Sequence, residues 1–272
     1  MSDCVTTNDE PIIGILTMKT DGKKAEHGDT FIPACFVKYL ESAGARVVPI
    51  FLNQSPSYYK HIFDSINGIL FPGGDVDLIT SDAAEAGKIL YEHAIQANDK
   101  GDIFPIWGTC WGFQFLFALA CGEDLLTSTP ALRVSFPLIF QKGYETSKLF
   151  KNAPDDIIDI LANQNVTFNA HNDGITPTTF ERNEKVKNFY KMLAINMDKI
   201  NKEFISMIEE CRLRLSDRGI MGCCIFQSSE QYPILTIFVC FERFPIYKIV
   251  GGVGYTPGSG YILLLCLLQA LK

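Results

Sequence analysis

At 272 residues, with 47% hydrophobic and 20% charged side chains, the chain can bury a substantial core in one large domain. A formal net charge of −7 offers no broad cationic surface for phosphate neutralisation, which argues against nucleic acid or an acidic membrane face and for a small-molecule or peptide-like substrate. The nine cysteines include no C-x-x-C pair and sit in a chain too long to need staples, so apart from Cys110 they read as structural thiols.

The polar, acidic start MSDCVTTNDEP carries no apolar stretch of the kind a secretory signal needs. Two β-branched runs, 12–16 (IIGIL) and 47–51 (VVPIF), flank the segment from Thr30 to Ala43. There Phe36, Val37, Leu40 and Ala43 recur at helical spacing before Gly44 supplies a stop. Strand, helix and a second continuous apolar strand predict a βαβ unit with a parallel sheet covered on both faces. The alternation repeats: 68–71 (GILF) closes on Pro72-Gly73-Gly74, a helix runs from Ala83 to Ala97, and a strand from Ile103 to Trp107. Gly108-Thr109-Cys110-Trp111-Gly112 follows at once, and then the apolar helical run Phe113 to Ala120. Beyond lie a less regular stretch from Leu125 to Asn172, a helix from Asn183 to Leu193, and strand-like runs Met192 to Asn196 and Glu203 to Ile208. From about Glu210 the patterning is lost; CRLRLSDRGIMGCCIF has no clear period, and ILTIFVCF, KIVGGVGYTPGSG and YILLLCLLQAL mix β-like runs with a Gly-rich loop. The last apolar run, eleven residues, falls short of the roughly twenty that a bilayer span needs.

The pentapeptide around Cys110 carries the chemistry. G-x-C-x-G between a strand and a helix is the cysteine form of a nucleophile elbow, whose glycines permit a tight turn that presents the side chain. A helix amino end favours thiolate over thiol, and the N–H of Trp111 is placed to donate to an oxyanion. A second donor must come from a neighbouring loop at the same sheet edge, and Gly73 or Gly74 of the Pro-Gly-Gly loop is placed to supply it. The bland alternative is a buried core thiol flanked by ordinary turns.

With these residues in view, the chain resembles the gamma-glutamyl hydrolase family, also called folylpoly-gamma-glutamate hydrolases. The resemblance rests on PIIGIL at 11–16, FVKYLESAGARVVPI at 36–50, SINGILFPGGDVDL at 65–78, GDIFPIWGTCWGFQFL at 101–116, NEKVKNFYKML at 183–193 and EFISMIE at 203–209. It implies an α/β fold, the class I glutamine amidotransferase-like three-layer sandwich around a mostly parallel sheet. The chain then divides into a polar tail (1–10), a gamma-glutamyl hydrolase-like domain (11–209) and a divergent C-terminal segment (210–272). The resemblance further implies cleavage of folate or antifolate poly-gamma-glutamates through a thioester on Cys110, and a homodimer. It places His171, in TFNAHND, in or near the substrate site. Family members act in lysosome, vacuole or outside the cell, and the sequons at Asn53 and Asn165 would matter only there.

The family's general base comes late, in a motif like YGxQWHPEK, where this chain reads Met221-Gly222-Cys223-Cys224-Ile225-Phe226-Gln227-Ser228, and no histidine follows His171. His27, His61 and His93 read as surface or helix residues. Losing a positioned acid–base group costs roughly 10²–10⁴-fold in rate. The abrupt end of the agreement at Glu210 suggests a changed reading frame or a retained intron in the gene. Three readings follow: a thiol hydrolase of gamma-glutamyl bonds, a non-catalytic binding protein that keeps the fold, and a glutamine amidotransferase subunit that shares the elbow. The acidic pairs Asp75/Asp77 and Glu209/Glu210 read as solvated loop charges. Neither HExxH, paired cysteines nor a calcium-type acidic loop is present, and GGVGYTPGSG lacks the basic residue of a phosphate loop, so no metal and no cofactor is expected.

Overall fold

The structure is a computed structural model that describes residues 11–211 and, for the backbone alone, 220–223. The tail 1–10 and nearly all of the divergent segment, including ILTIFVCF, KIVGGVGYTPGSG and YILLLCLLQAL, lie outside the described residues.

The chain begins with β1 (Ile12–Leu16), a short β2 (Met18–Lys19) paired with β3 (Thr30–Phe31), α1 (Ala34–Glu41) and β4 (Arg46–Ile50). Next come α2 (Pro56–Ser65), β5 (Gly68–Phe71), α3 (Asp82–Asp99), β6 (Ile106–Thr109) and α4 (Trp111–Cys121). The second half holds β7 (Thr127–Phe136), β8 (Ile139–Phe140), α5 (Asp155–Asn163), β9 (Thr167–Gly174), α6 (Pro177–Arg182) and α7 (Glu184–Phe189). It ends with β10 (Tyr190–Met197), β11 (Glu203–Glu210) and β12 (Ile220–Cys223).

Eight strands form one sheet in the order β4-β1-β5-β6-β12-β11-β10-β8. The first five run parallel and the last three antiparallel, a mostly parallel sheet with an antiparallel flank. Strands buried on both faces need apolar residues at successive positions, which is why IIGIL and GILF are continuous apolar runs and not alternating ones. Leu16, Ile69, Phe71 and Ile106 pack with α2, α3 and α4 on one face; Ile13, Ile15, Leu70 and Trp107 pack with α1 and α5 on the other. The result is a three-layer α/β sandwich, as expected.

Local sequence sets the helix limits. Ser55 accepts the Tyr58 N–H and Ser81 the Ala84 N–H, each at 3.2 Å, satisfying donors that a helix start leaves free. Gly44 follows α1 at φ 86°, the left-handed conformation expected of a glycine stop. The predicted helix from Asn183 to Leu193 ends earlier, at Phe189. Tyr190 onward joins β10, where pairing with β11 on one side and β8 on the other outweighs the helical spacing of the side chains. The stretch read as irregular from Leu125 contains β7 and β9, a two-stranded antiparallel ribbon whose register shifts between Ser128 and Ala131 and again between Leu132 and Val134. Those irregularities break the period-two alternation that reveals a strand in sequence.

Glu209 and Glu210 are not solvated loop charges: both are buried in β11. A Glu209 carboxylate oxygen accepts the Leu149 N–H at 3.1 Å, holding the segment after β8 against the sheet. Burial pushes its pKa up, against the backbone N–H groups of Lys148 and Leu149, which pull it down. A raised folded-state pKa means that stability from this group is present at acid pH and is lost as pH rises through the folded pKa. Glu209→Gln is therefore expected to match or exceed the parent in stability at pH 7 and to flatten that pH dependence, whereas Glu209→Ala, which orphans buried N–H groups, loses about 1–3 kcal/mol in urea unfolding.

Candidate active site

Close backbone packing, possible only at glycine, builds the elbow. β6 delivers Thr109 to the carboxyl edge of the sheet and α4 starts at Trp111, so Cys110 alone turns the chain, at φ 53° and ψ −111°. This conformation is strained for a residue with a Cβ and persists only where its surroundings hold it. A Cβ on Gly112 would lie 2.6 Å from the Phe71 carbonyl carbon, and one on Gly108 2.6 Å from the Gly112 carbonyl carbon. With no Cβ in the way, the Gly112 N–H donates to the Pro72 oxygen at 3.0 Å and the Gln114 N–H to the Cys110 oxygen at 3.0 Å.

The Pro72-Gly73-Gly74 loop closes over Cys110. The Trp111 indole N–H donates to the Val76 carbonyl at 2.8 Å, and the Trp111 ring stacks on Phe115 at 4.7 Å. These contacts lock the first turn of α4 to the loop after β5. The backbone N–H groups of both Trp111 and Gly74 reach the Cys110 sulfur. Of the two glycines expected there, Gly74 is the one whose N–H does so; a Cβ on it would collide with the end of Met18, the β2 residue that backs the loop. Asp75 is exposed, while Asp77 accepts from the N–H groups of Ile79 and Thr80 at 2.8 and 2.6 Å and so caps the turn instead of only facing solvent.

At the half-buried Cys110, desolvation works against the thiolate expected at this helix start. Burial pushes the Cys110 thiol up to about 11, outweighing the two N–H groups that favour the anion, and the neighbouring Asp75 charge adds to the rise. A thiol raised in this way favours its neutral form. Alkylation of Cys110 by iodoacetamide, followed by peptide mapping, is expected to be slow at pH 7 and to climb through about pH 11; an inflection at or below the ordinary cysteine value near 8.5 would contradict this environment.

His171 lies on β9, buried, with its ring edge-on to Phe204 of β11 at 4.7 Å. The Gln114 side chain, in the first turn of α4, donates to the Asp173 carbonyl at 2.8 Å, so the strand carrying His171 is bonded directly to the elbow helix. Burial pushes the imidazole down to about 4, against Asp173, Asp198 and Thr129, which favour the cation. Backbone groups of Asp173 and Thr129 are close enough to act on the ring, yet neither ring nitrogen has a hydrogen-bond partner among the described residues. The other histidines are elsewhere: His27 and His61 are exposed, and His93 on α3 packs against Phe63 of α2 at 5.4 Å.

β12 runs beside the strand that leads into the elbow. It runs parallel to β6, with Cys223 opposite Thr109, the residue before Cys110. The described start of the late segment, Met221 to Cys223, therefore borders the elbow; Cys224 to Ser228 lie outside the described residues. Among the described residues, no three His, Cys, Asp or Glu side chains group to hold a metal ion, and no helix is long and apolar enough to cross a membrane. Gln114, Asp198 and Thr129 carried no signal in the sequence, because each matters only through a contact with a distant element.

Comparison with known proteins agrees with this architecture. The Peptidase C26 family model matches residues 11–131, which span β1 to the elbow and beyond. The chain is 44% identical over 253 residues to a mouse gamma-glutamyl hydrolase, covering 93% of this chain and 74% of that one. A human gamma-glutamyl hydrolase is 48% identical over 205 residues, 75% of this chain and 64% of the relative, and Dictyostelium discoideum gamma-glutamyl hydrolase B is 44% identical over 207 residues, 75% and 60%. The chain thus spans somewhat under two thirds of the human and Dictyostelium relatives and about three quarters of the mouse one. On an identity this high over so much of both chains, the protein belongs to the gamma-glutamyl hydrolase family.

Proposed function

We propose that this chain hydrolyses gamma-glutamyl amide bonds of folate poly-gamma-glutamates through a thioester on Cys110. The observation that carries the reading is the convergence of the Trp111 and Gly74 N–H groups on the sulfur of a residue held in a strained turn. Donors arranged in this way hold the negative oxygen that forms when a nucleophile adds to a carbonyl, and they are most effective in a site shielded from water. With the thiol pushed up to about 11 and the imidazole down to about 4, the two groups rest neutral.

Attack is accordingly concerted with proton transfer. The Cys110 sulfur bonds to the γ-carbonyl carbon as its proton leaves toward His171 by way of substrate or water, since neither ring nitrogen has a hydrogen-bond partner among the described residues, and the same route returns a proton to the departing amine nitrogen as the C–N bond breaks. Water, giving its proton to His171, adds to the thioester carbon and expels the sulfur, which recovers that proton. His171 takes this role because it is the one buried histidine among the chain's four and its strand is bonded to the elbow helix.

The test is glutamate release from a pteroyl-poly-gamma-glutamate by the purified 272-residue chain, beside an α-linked glutamyl peptide of equal length. Release from the γ-linked substrate alone is the expected result. A second reading has its own support: the sequence holds no histidine after His171, although β12 returns to the elbow where the late base motif is expected. A folded chain that binds the γ-linked substrate without releasing glutamate would establish that reading, a binding protein, in place of the first.

A further inference from the structure

Three buried side chains from three elements meet beside His171 with polar atoms that nothing among the described residues satisfies. They are both ring nitrogens of His171 on β9, the hydroxyl of Thr129 on β7, and one carboxylate oxygen of Asp198 in the turn between β10 and β11. Their exposures are 7%, 0% and 4%. An orphaned buried polar group costs about 1–3 kcal/mol, so three together call for a shared partner.

Their placement is specific. Thr129 falls where the β7–β9 register shifts, between the pairs Ser128 with Asp173 and Ala131 with His171. An irregularity of this kind re-aims a side chain out of the ordinary alternation. The β10–β11 turn is clamped across the same three residues of β7: the Lys199 N–H donates to the Pro130 oxygen at 3.1 Å, and the Lys202 ammonium to the Ser128 oxygen at 2.7 Å. The other oxygen of Asp198 accepts the N–H groups of Ile200 and Lys202, each at 2.8 Å, which fixes the carboxylate and leaves its second oxygen free. Gly174 lets Thr129 and His171 come together. A Cβ there would lie 2.7 Å from the Thr129 hydroxyl and 3.8 Å from Cε1 of His171, so both groups approach the same stretch of backbone.

We propose that Asp198, with Thr129, is the positioning group for His171, joined to one ring nitrogen through a single enclosed water that fixes the tautomer and orientation of the imidazole. A water suits the site because the groups have no hydrogen-bond partner among the described residues, and three polar partners are what a buried water takes. A buried carboxylate that holds the far side of an imidazole both selects the tautomer and stabilises the cation formed during proton transfer. The inference rests on the role of His171 proposed above.

Asp198→Asn tests it, because asparagine keeps the oxygen that accepts from Ile200 and Lys202 and replaces the free oxygen with a donor. Nitrogen-15 NMR of the ring nitrogens, assigned with His171→Gln, is expected to show one neutral tautomer in the parent and a reversed or mixed population in Asp198→Asn. The kcat for glutamate release is expected to fall about 10–100-fold, with KM and thermal midpoint nearly unchanged. Ring-nitrogen shifts that do not move in the folded variant would overturn the proposal. Should Asp198→Asn fail to fold, Thr129→Val decides by the same spectra, with the same pair of outcomes. The spectra need no turnover, so failure of this inference is distinguishable from failure of the hydrolase reading.

Discussion

Cys110→Ala is expected to abolish glutamate release, lowering kcat by 10³-fold or more, on the scale found when a covalent nucleophile is removed from other hydrolases. The loss should be chemical and not structural. Cys110 is the single residue between β6 and α4, and the packing that forces its strained turn comes from Gly108, Gly112 and Phe71, none of which the substitution alters. The variant should keep the thermal midpoint of the parent and still bind the γ-linked substrate. Intact-mass analysis of parent protein quenched during turnover should reveal a species heavier by the acyl part of the substrate, and the variant should lack it. Equal release by parent and variant would remove Cys110 from the mechanism.

Gly112→Ala should damage both stability and activity. The added methyl would sit 2.6 Å from the Phe71 carbonyl carbon and 2.7 Å from its Cβ, and backbone cannot step aside as the end of a flexible side chain can. Relief requires α4 to retreat from β5, lengthening the Gly112 to Pro72 hydrogen bond and moving the Trp111 N–H away from Gly74. Overpacking of this kind costs about 1–3 kcal/mol, and a displacement near 1 Å at a reacting centre costs about 10²-fold in rate. Denaturant unfolding and kcat measured on the same preparation check both. A variant with parental stability and rate would mean that the elbow is looser than the packing indicates.

Much of the parallel half of the sheet was legible in the sequence because its strands are short, continuous apolar runs punctuated by glycine. β1 and β5 coincide with the runs IIGIL and GILF, and Gly44 ends α1 in the conformation that only glycine adopts easily. The elbow was legible for the same reason, since its two glycines record a packing distance directly. α2, β7 and β9 were not. Pro56–Ser65 opens on a proline and buries only Tyr59 and Phe63, and the ribbon of β7 and β9 hides its alternation behind two register shifts.

Chemistry at the site divides along the same line. The identity of Cys110 and the donors that flank it follow from local covalent order, because a strand, a tight turn and a helix start are specified by neighbours in the chain. The charge state of that thiol does not: it depends on how much water the fold removes, and burial outweighs the helix-start N–H groups on which the sequence expectation rested. Likewise Glu209 looked like a surface charge until β11 was seen inside the sheet, with its carboxylate bonded to Leu149. The sequence by itself determined the fold class, the strand–turn–helix that presents Cys110 and the loop that faces it. Only the tertiary structure decided which glycine lies against the sulfur, that burial disfavours the charged forms of the thiol and the imidazole, and that Thr129, His171 and Asp198 are buried with polar atoms unpaired among the described residues, because desolvation and contacts between distant elements have no imprint on local residue order.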